Sequence, residues 1–182
     1  MTGDAALVAN LEKLASGQHL AIERGLFRWG EEVMAESKTQ YVPVDTGVLR
    51  ASGFVMTPSL RDVPPGAVPS PEAVAALDPR TPDEVSAVLG YGGPATPYAL
   101  AVHENPRSGK TGGVSPQGRR YKHWARVGQW KYLAIPAQNH ASRLAEVVAT
   151  EVRAFIAGLG QRGRTPEGSG RVKLSDLHGR IR

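Results

Sequence analysis

The stretch Pro43-Val44-Asp45-Thr46-Gly47-Val48-Leu49-Arg50-Ala51-Ser52 separates a long helical pattern from the first predicted strand. Pro43 disfavours a helical conformation for the residue before it, so the preceding helix is expected to end here. The triplet 45–47 is a turn or capping signal, because an aspartate carboxylate accepts hydrogen bonds from nearby backbone N–H groups and glycine allows a positive φ. Residues 49–57 then alternate loosely and predict a strand, which Gly53 weakens.

The N-terminal side of this stretch predicts one long helix over residues 4–40. Positions that recur every three or four residues form its stripe: Leu7, Leu11, Leu14, Gln18 as the one polar member, Ile22, Leu26, Trp29 and Val33. A helix with one apolar face needs a partner, either a sheet and second helix of the same chain or neighbouring subunits. Gly17 and Gly25 each cost about 1 kcal/mol relative to alanine, which leaves open a kink near either position.

The C-terminal side predicts short strands, a loop and a second helix. Residues 58–82 contain seven prolines and are interpreted as an excursion inserted between two strands, with a helical turn at 73–77. Residues 84–91 alternate most clearly as a strand, and residues 98–104 fit a helical turn or a strand. Residues 130–135 also alternate like a strand. Pro136 then suits the first turn of a helix with apolar spacing from 137 to 159, which Gly158 and Gly160 are expected to end.

Together these segments predict an α+β fold. The long N-terminal helix and the C-terminal helix are expected to pack on a small, mostly antiparallel sheet with long loops. Residues 1–160 are predicted to form a single domain that includes the proline-rich excursion at 58–82 and a basic loop at 105–128. Residues 161–182 are predicted to form a basic, flexible tail.

Charge is strongly segregated along the chain, although the formal net charge is only +5. Residues 1–104 contain 7 Lys/Arg and 13 Asp/Glu, a net charge of −6, whereas residues 105–145 contain 8 Lys/Arg and no acid. Residues 161–182 contain 6 basic and 2 acidic residues. Such segregation favours a polyanionic partner for the loop and tail, or else a solvated loop whose aromatic residues anchor it to the core. The candidate contact residues are Arg107, Lys110, Arg119, Arg120, Lys122, Arg126 and Lys131.

The residues that carry enzyme chemistry do not form a recognisable pattern. The chain has no cysteine, which excludes disulfides and thiolate ligands. The five histidines make no pair at metal-binding spacing, and His103-Glu104 would need a distant third ligand. The triplet Gly109-Lys110-Thr111 lacks the earlier glycine of a phosphate-binding loop. We therefore expect no enzymatic activity, no cofactor and no metal. No apolar run is long enough to cross a bilayer and no secretory signal is visible, so we expect a soluble chain made in the cytoplasm.

Three segments, in order, resemble a known family. The first is PVDTGVLRAS at 43–52 after a long helix, the second is Tyr98-Ala99 followed by Val102-His103-Glu104, and the third is YLAIPA at 132–137 before the last helix. The chain resembles the neck and tail-completion proteins of long-tailed double-stranded DNA phages, also described as head–tail joining or minor capsid proteins. It departs from that pattern in the long 58–82 insertion, in Asn105-Pro106 where the family has glycine, and in its basic loop and tail.

The resemblance implies a structural protein of the virion neck, without enzymatic activity and assembled in the host cytoplasm. It implies a homo-oligomeric ring, a hexamer, between head connector or head-closure proteins and tail terminator or tail tube proteins, with genomic DNA passing through its lumen and no membrane. The expected turn and assembly residues are Pro43, Asp45, Thr46, Gly47, Leu49 and Arg50. A non-enzymatic nucleic-acid-binding protein that uses the basic loop and tail is the alternative.

Overall fold

A computed structural model describes residues 3–78, 84–106, 108 and 128–162 of the chain. Helix α1, Gly3–Glu36, continues without a break into a π-helical turn, Ser37–Tyr41. The helix ends at Val42, which has extended backbone angles (φ −64°, ψ 124°) directly before Pro43. The prediction that Pro43 ends the long helix is confirmed.

The remaining elements are short until the C-terminal helices. They are α2 (Val48–Ala51), β1 (Gly53–Met56), β2 (Arg61–Asp62), α3 (Pro71–Ala75), β3 (Val88–Tyr91), α4 (Ala99–Glu104), α5 (Ala134–His140), a 3₁₀ turn (Ala141–Arg143) and α6 (Leu144–Arg162). The strands form an antiparallel sheet in the order β2-β1-β3, in which Val55 lies opposite both Asp62 and Leu89. The predicted α+β class is confirmed.

The central strand β1 is buried on both faces. On one face Val55 lies against α1 at Gly30, where a Cβ atom would approach Val55 Cγ1 to 2.8 Å. On the other face Phe54 and Met56 form a core cluster with side chains from the proline-rich segment, Ala67 and Leu77. The described part of this segment, residues 58–78, is therefore a structural layer that supplies β2, α3 and the cover of the sheet's second face.

Helix α6 packs along α1 through small residues of α1. A Cβ atom at Gly17 would lie 2.3 Å from the Phe155 ring, and one at Gly25 would lie 2.6 Å from the Cα atom of Val148. Ala21, one turn from each, is buried. The glycines of α1 thus mark a close helix–helix approach, and the continuous helix shows no break at either position.

Four predicted boundaries are wrong. Residues 48–51 form a helical turn, because Gly47 in the left-handed region (φ 84°) starts α2 before β1 begins at Gly53. Residues 84–87 lie outside β3, since the facing strand β1 ends where Met56 meets Val88. Residues 130–133 form a turn instead of a strand, with Lys131 at φ 56°. Helix α6 passes through Gly158 and Gly160 to Arg162, since an exposed glycine costs a helix only about 1 kcal/mol.

Parts of two predicted regions lie outside the described residues. These are residue 107 and residues 109–127 of the basic loop, and residues 163–182 of the tail. In the part of the chain that the structure describes, no helix has the length and apolar character needed to cross a membrane.

Candidate functional site

Residues 43–52 form a turn that is held in place by two buried residues, Leu49 and Ser52. Gly47 precedes α2, and its carbonyl accepts a hydrogen bond from Ala51 N at 2.9 Å. The hydroxyl of Ser52 donates to the carbonyl of Leu49 at 2.8 Å and closes the helical turn. Leu49 is buried with Val42 in the core cluster next to this turn. The predicted role of Leu49 as the first residue of a strand is wrong, and its contribution is to hold α2 on the core.

The turn forms one wall of an open cleft, named here the motif cleft, with a volume of about 320 Å³. The other wall is the start of α4. Apolar side chains and backbone predominate in the lining, which consists of Pro43, Val44, Asp45, Thr46, Gly47, Leu49, Tyr98 and Val102. Of the six motif residues predicted to form a turn or assembly surface, five line this cleft, and the sixth, Arg50, lies on α2.

Asp45 supplies the negative charge of the cleft. Its side chain is exposed and makes no hydrogen bond with any residue that the structure describes, so the prediction that its carboxylate caps the turn is wrong. Burial and, secondarily, the charge of Asp45 raise the pKa of the Tyr98 hydroxyl. The tyrosine nonetheless keeps 42% of its surface exposed. An aromatic ring and a carboxylate therefore face one another across an open, largely apolar surface.

Arg50 is exposed on α2, and within the described ranges its guanidinium has no carboxylate within salt-bridge distance. Val48 on the same turn is also exposed. An arginine that stabilised this subunit would be expected to meet an acidic side chain of the same subunit. Among the described residues, the acid that belongs to the same turn is Asp45, which is itself unpaired.

A buried polar network supports the floor of the motif cleft. The Tyr132 hydroxyl donates to the carbonyl of Ala99 at 2.8 Å and ties α4 to the turn before α5. The Ser37 hydroxyl donates to the carbonyl of Tyr132 at 2.6 Å, so the Tyr91 hydroxyl donates to Ser37 at 2.8 Å. Burial raises the pKa of both tyrosines. Hence both hydroxyls stay protonated over the physiological range, and the network is a rigid support instead of a source of protons.

The candidate cation Lys131 is already neutralised inside the subunit. Its ammonium group pairs with the carboxylate of Glu104, which also lies 2.7 Å from Nδ1 of His103. Hydrogen bonds from Lys131 and then from His103 lower the pKa of Glu104. The backbone N–H of Lys131 donates to the carbonyl of His103 at 2.7 Å. Lys131 thus joins α4 to the following turn.

The other six predicted contact residues, Arg107, Lys110, Arg119, Arg120, Lys122 and Arg126, lie outside the described residues. The described ends of their loop lie beside the motif cleft. One end follows α4, which forms a wall of the cleft. At the other end Gly128, with φ 131°, packs against Pro43 so closely that a Cβ atom would lie 2.4 Å from Pro43 Cα. The backbone N–H of Gln129 donates to the carbonyl of Tyr41 at 2.8 Å.

A second polar cluster joins α1 to α5 and was missed at the sequence level. Nε2 of His140 lies 2.6 Å from one carboxylate oxygen of Glu36, and Asn139 donates to the other at 2.9 Å. The indole N–H of Trp29 donates to the carbonyl of His140 at 2.9 Å. These partners are about a hundred residues apart in sequence, so no local spacing signals them. Asn139 also donates to the Tyr41 hydroxyl at 3.2 Å, so the cluster connects the end of α1 to α5 and is interpreted as structural; it is named here the clasp.

No metal site accompanies either cluster. Within residues 3–78, 84–106, 108 and 128–162, no group of three or more His, Asp or Glu side chains is arranged to hold a metal ion. His103-Glu104, the pair that would have needed a third ligand, is joined by Lys131 instead. The motif cleft, which five of the six predicted motif residues line, is taken as the candidate site.

Comparison of the chain with models of protein families, with curated proteins and with solved structures finds no match.

Proposed function

We propose that the protein is a structural subunit of the neck of a long-tailed double-stranded DNA phage. In this proposal a ring of copies, six by the family resemblance, joins the head connector to the tail and lets the genome pass. The observation that carries the proposal is the surface that residues 43–52 build. The most specific motif of the chain builds an open, mostly apolar cleft next to an exposed arginine without an acidic partner among the described residues. A surface of this kind suits assembly better than catalysis.

A second feature supports assembly into a ring. Besides Val68, Val74 and Trp130, the large apolar side chains that are exposed form two separate groups: Val48, Tyr98 and Leu100 around the motif, and Val8, Leu11, Leu14, Ile156 and Leu159 toward the far end of the α1–α6 hairpin. A ring subunit contacts its two neighbours through two different patches, whereas a twofold dimer uses the same patch twice. Two dissimilar apolar surfaces on one subunit therefore favour head-to-tail contacts.

The charge distribution supports passage of DNA close to the motif end of the subunit. Two of the eight basic residues in 105–145, Lys131 and Arg143, pair with Glu104 and Glu32. The remaining six belong to the loop whose ends flank the motif cleft. A concentration of cations attracts the phosphate backbone without reading its sequence.

The test of the proposal is Arg50→Ala in the genome that encodes this chain, with Arg61→Ala on β2 as the matched control, since Arg61 is also exposed. Both variants should keep the free energy of unfolding within about 0.5 kcal/mol of the parent protein. Electron microscopy should show unjoined heads and tails for Arg50→Ala and complete particles for Arg61→Ala. Complete particles from Arg50→Ala would remove the assembly role of Arg50, and purified virions that lack the chain would remove the proposed function.

The charge segregation also supports a second candidate, a nucleic-acid-binding protein that acts outside a virion. A binder of this kind would retain short DNA as a purified protein. The logarithm of its affinity would fall with the logarithm of salt concentration by about 0.9 for each phosphate contacted. A neck subunit would instead join purified head-connector or tail components, and would bind DNA weakly as a single copy.

A further inference from the structure

The motif cleft is shaped for a short segment with apolar side chains. Its volume of about 320 Å³ is at the small end of the range for ligand pockets, about 300–1,000 Å³. It therefore has room for one or two side chains and not for a folded helix. Its open mouth carries one negative group, Asp45, and the neighbouring α2 carries one positive group, Arg50. The occupant should combine apolar residues with charges of both signs.

The last twenty residues of the chain contain such a segment. Residues 163–170, GRTPEGSG, are rich in glycine and polar residues and have the composition of a flexible linker. Residues 171–182, RVKLSDLHGRIR, then contain four apolar residues: Val172, Leu174, Leu177 and Ile181. Lys173 directly precedes Leu174, and Asp176 directly precedes Leu177. The segment thus pairs a cation and an acid with two leucines, complementary to Asp45 and Arg50 beside the apolar cleft.

The subunit's own tail starts at the end of the molecule that lies far from its own cleft. Phe155 lies at the level of Gly17, so the end of α6 at Arg162 lies about 46 Å along the hairpin from Tyr41 at about 1.5 Å per residue. A fully extended chain spans about 3.4 Å per residue, so Leu174 reaches at most about 41 Å from Arg162 and Leu177 at most about 51 Å. A flexible chain of fifteen residues averages only about 21 Å from end to end, so Leu177 would reach its own cleft only when the tail is almost fully stretched. A neighbouring copy is under no such restriction.

We propose that the motif cleft of each subunit receives the leucines of residues 171–182 from a neighbouring copy of the chain. The proposal rests on the ring assembly proposed above, and it names the partner of the motif cleft. Leu174 or Leu177 fills the cleft against Tyr98 and Val102. The linker spans the gap between subunits, so that the motif cleft of each copy binds the tail of a neighbouring copy.

The experiment uses the full-length chain with the photoreactive residue p-benzoylphenylalanine in place of Tyr98, a position that is partly exposed. Equal amounts of ¹⁴N-labelled and ¹⁵N-labelled protein are mixed, irradiated and analysed by mass spectrometry. The proposal predicts cross-links to residues 171–182 in which the two joined peptides carry different isotopes. Cross-links within one chain, cross-links to residues 8–18 or 144–162, or no cross-links at any concentration would each overturn it.

A pair of full-length variants separates docking from folding. Leu174→Asp combined with Leu177→Asp should lower the yield of the isotopically mixed cross-link at least about tenfold, because two apolar side chains no longer leave water. Thr165→Asp combined with Ser169→Asp in the linker is the matched control and should keep the yield within about twofold. An equal loss in both variants would overturn the proposal. Complete virions from the leucine variant would remove tail docking as a requirement and leave the neck function standing.

Discussion

The two halves of α1 have the same helical pattern and different surroundings. In residues 21–37, seven positions are buried, among them Val33 and Met34, and these pack against the sheet, α5 and α6. In residues 8–18, Leu11 and Leu14 of the same predicted stripe are exposed, Leu11 to 55%. Periodicity therefore shows that a helix has an apolar face, but it does not show whether that face is covered by its own chain or by another.

The largest expected effect comes from placing a charge in each half of α1. Val33→Asp should lower the free energy of unfolding by about 4 kcal/mol or more, because it buries a carboxylate without a partner. Leu11→Asp should lower it by less than about 1 kcal/mol in dilute protein, since the side chain already meets water. Urea denaturation followed by circular dichroism measures both values. Equal losses would mean that residues 8–18 are covered within the single subunit, which would break the comparison.

A smaller effect, of opposite sign in the two regions, is expected from glycine substitutions. Gly25→Ala should destabilise the protein by about 1–2 kcal/mol, since its Cβ atom would lie 2.6 Å from the backbone of Val148 and force α6 away from α1. Gly158→Ala, toward the distal end of α6, meets no atom within 4 Å and should stabilise the protein by about 0.5–1 kcal/mol. Thermal unfolding measures the change in stability that each of the two variants causes relative to the parent protein. A stabilising Gly25→Ala would show that the helices are not in close contact there.

The smallest expected effect concerns the clasp at the buried end of α1. Hydrogen bonds from Asn139 and His140 lower the pKa of Glu36 below 4.5, although burial opposes the shift. The unfolded chain therefore takes up this proton at a higher pH than the folded protein does. The stability that Glu36 contributes is present above pH 4.5 and is lost as the pH falls through the lower pKa of the folded protein.

The variant Glu36→Gln tests the direction of this dependence of stability on pH. The difference in free energy of unfolding between the parent protein and Glu36→Gln should be greatest near neutral pH and should shrink as the pH falls below about 4.5. Gln18→Ala, exposed in the distal half of α1, should differ from the parent by an amount that does not change with pH. A constant difference for Glu36→Gln would show that the clasp does not depend on the charge of the carboxylate.

The prediction of the fold was successful where local chemistry decides the outcome. Pro43 ends the long helix and Gly47 adopts a positive φ, as expected from the covalent structure of these two residue types. The α+β class followed from the order of the helical and alternating segments. The strand predicted at 49–57 was wrong in its first half, because a short loose alternation does not distinguish a helical turn from a strand.

The structure shows what surrounds the candidate site residues, which the sequence alone did not show. Residues 43–52 were singled out from the sequence, and the structure adds Tyr98 and Val102 from α4 as the facing wall of the cleft. The pairing of Lys131 with Glu104 was not predicted, since only the folded chain brings the two side chains together. The proline-rich segment, taken for an excursion, supplies Ala67 and Leu77 to the core.

By itself, the sequence determined that the long helix ends at Pro43, which helices have an apolar face, and where the positive charge is concentrated. These properties depend on neighbouring residues, or on sums over a segment, and no partner is needed to infer them. Only the tertiary structure decided that the glycines of α1 admit α6, that the apolar stripe is half covered, and that residues 43–52 border a cleft. These properties depend on groups tens of residues apart, whose proximity follows from packing and not from spacing along the chain.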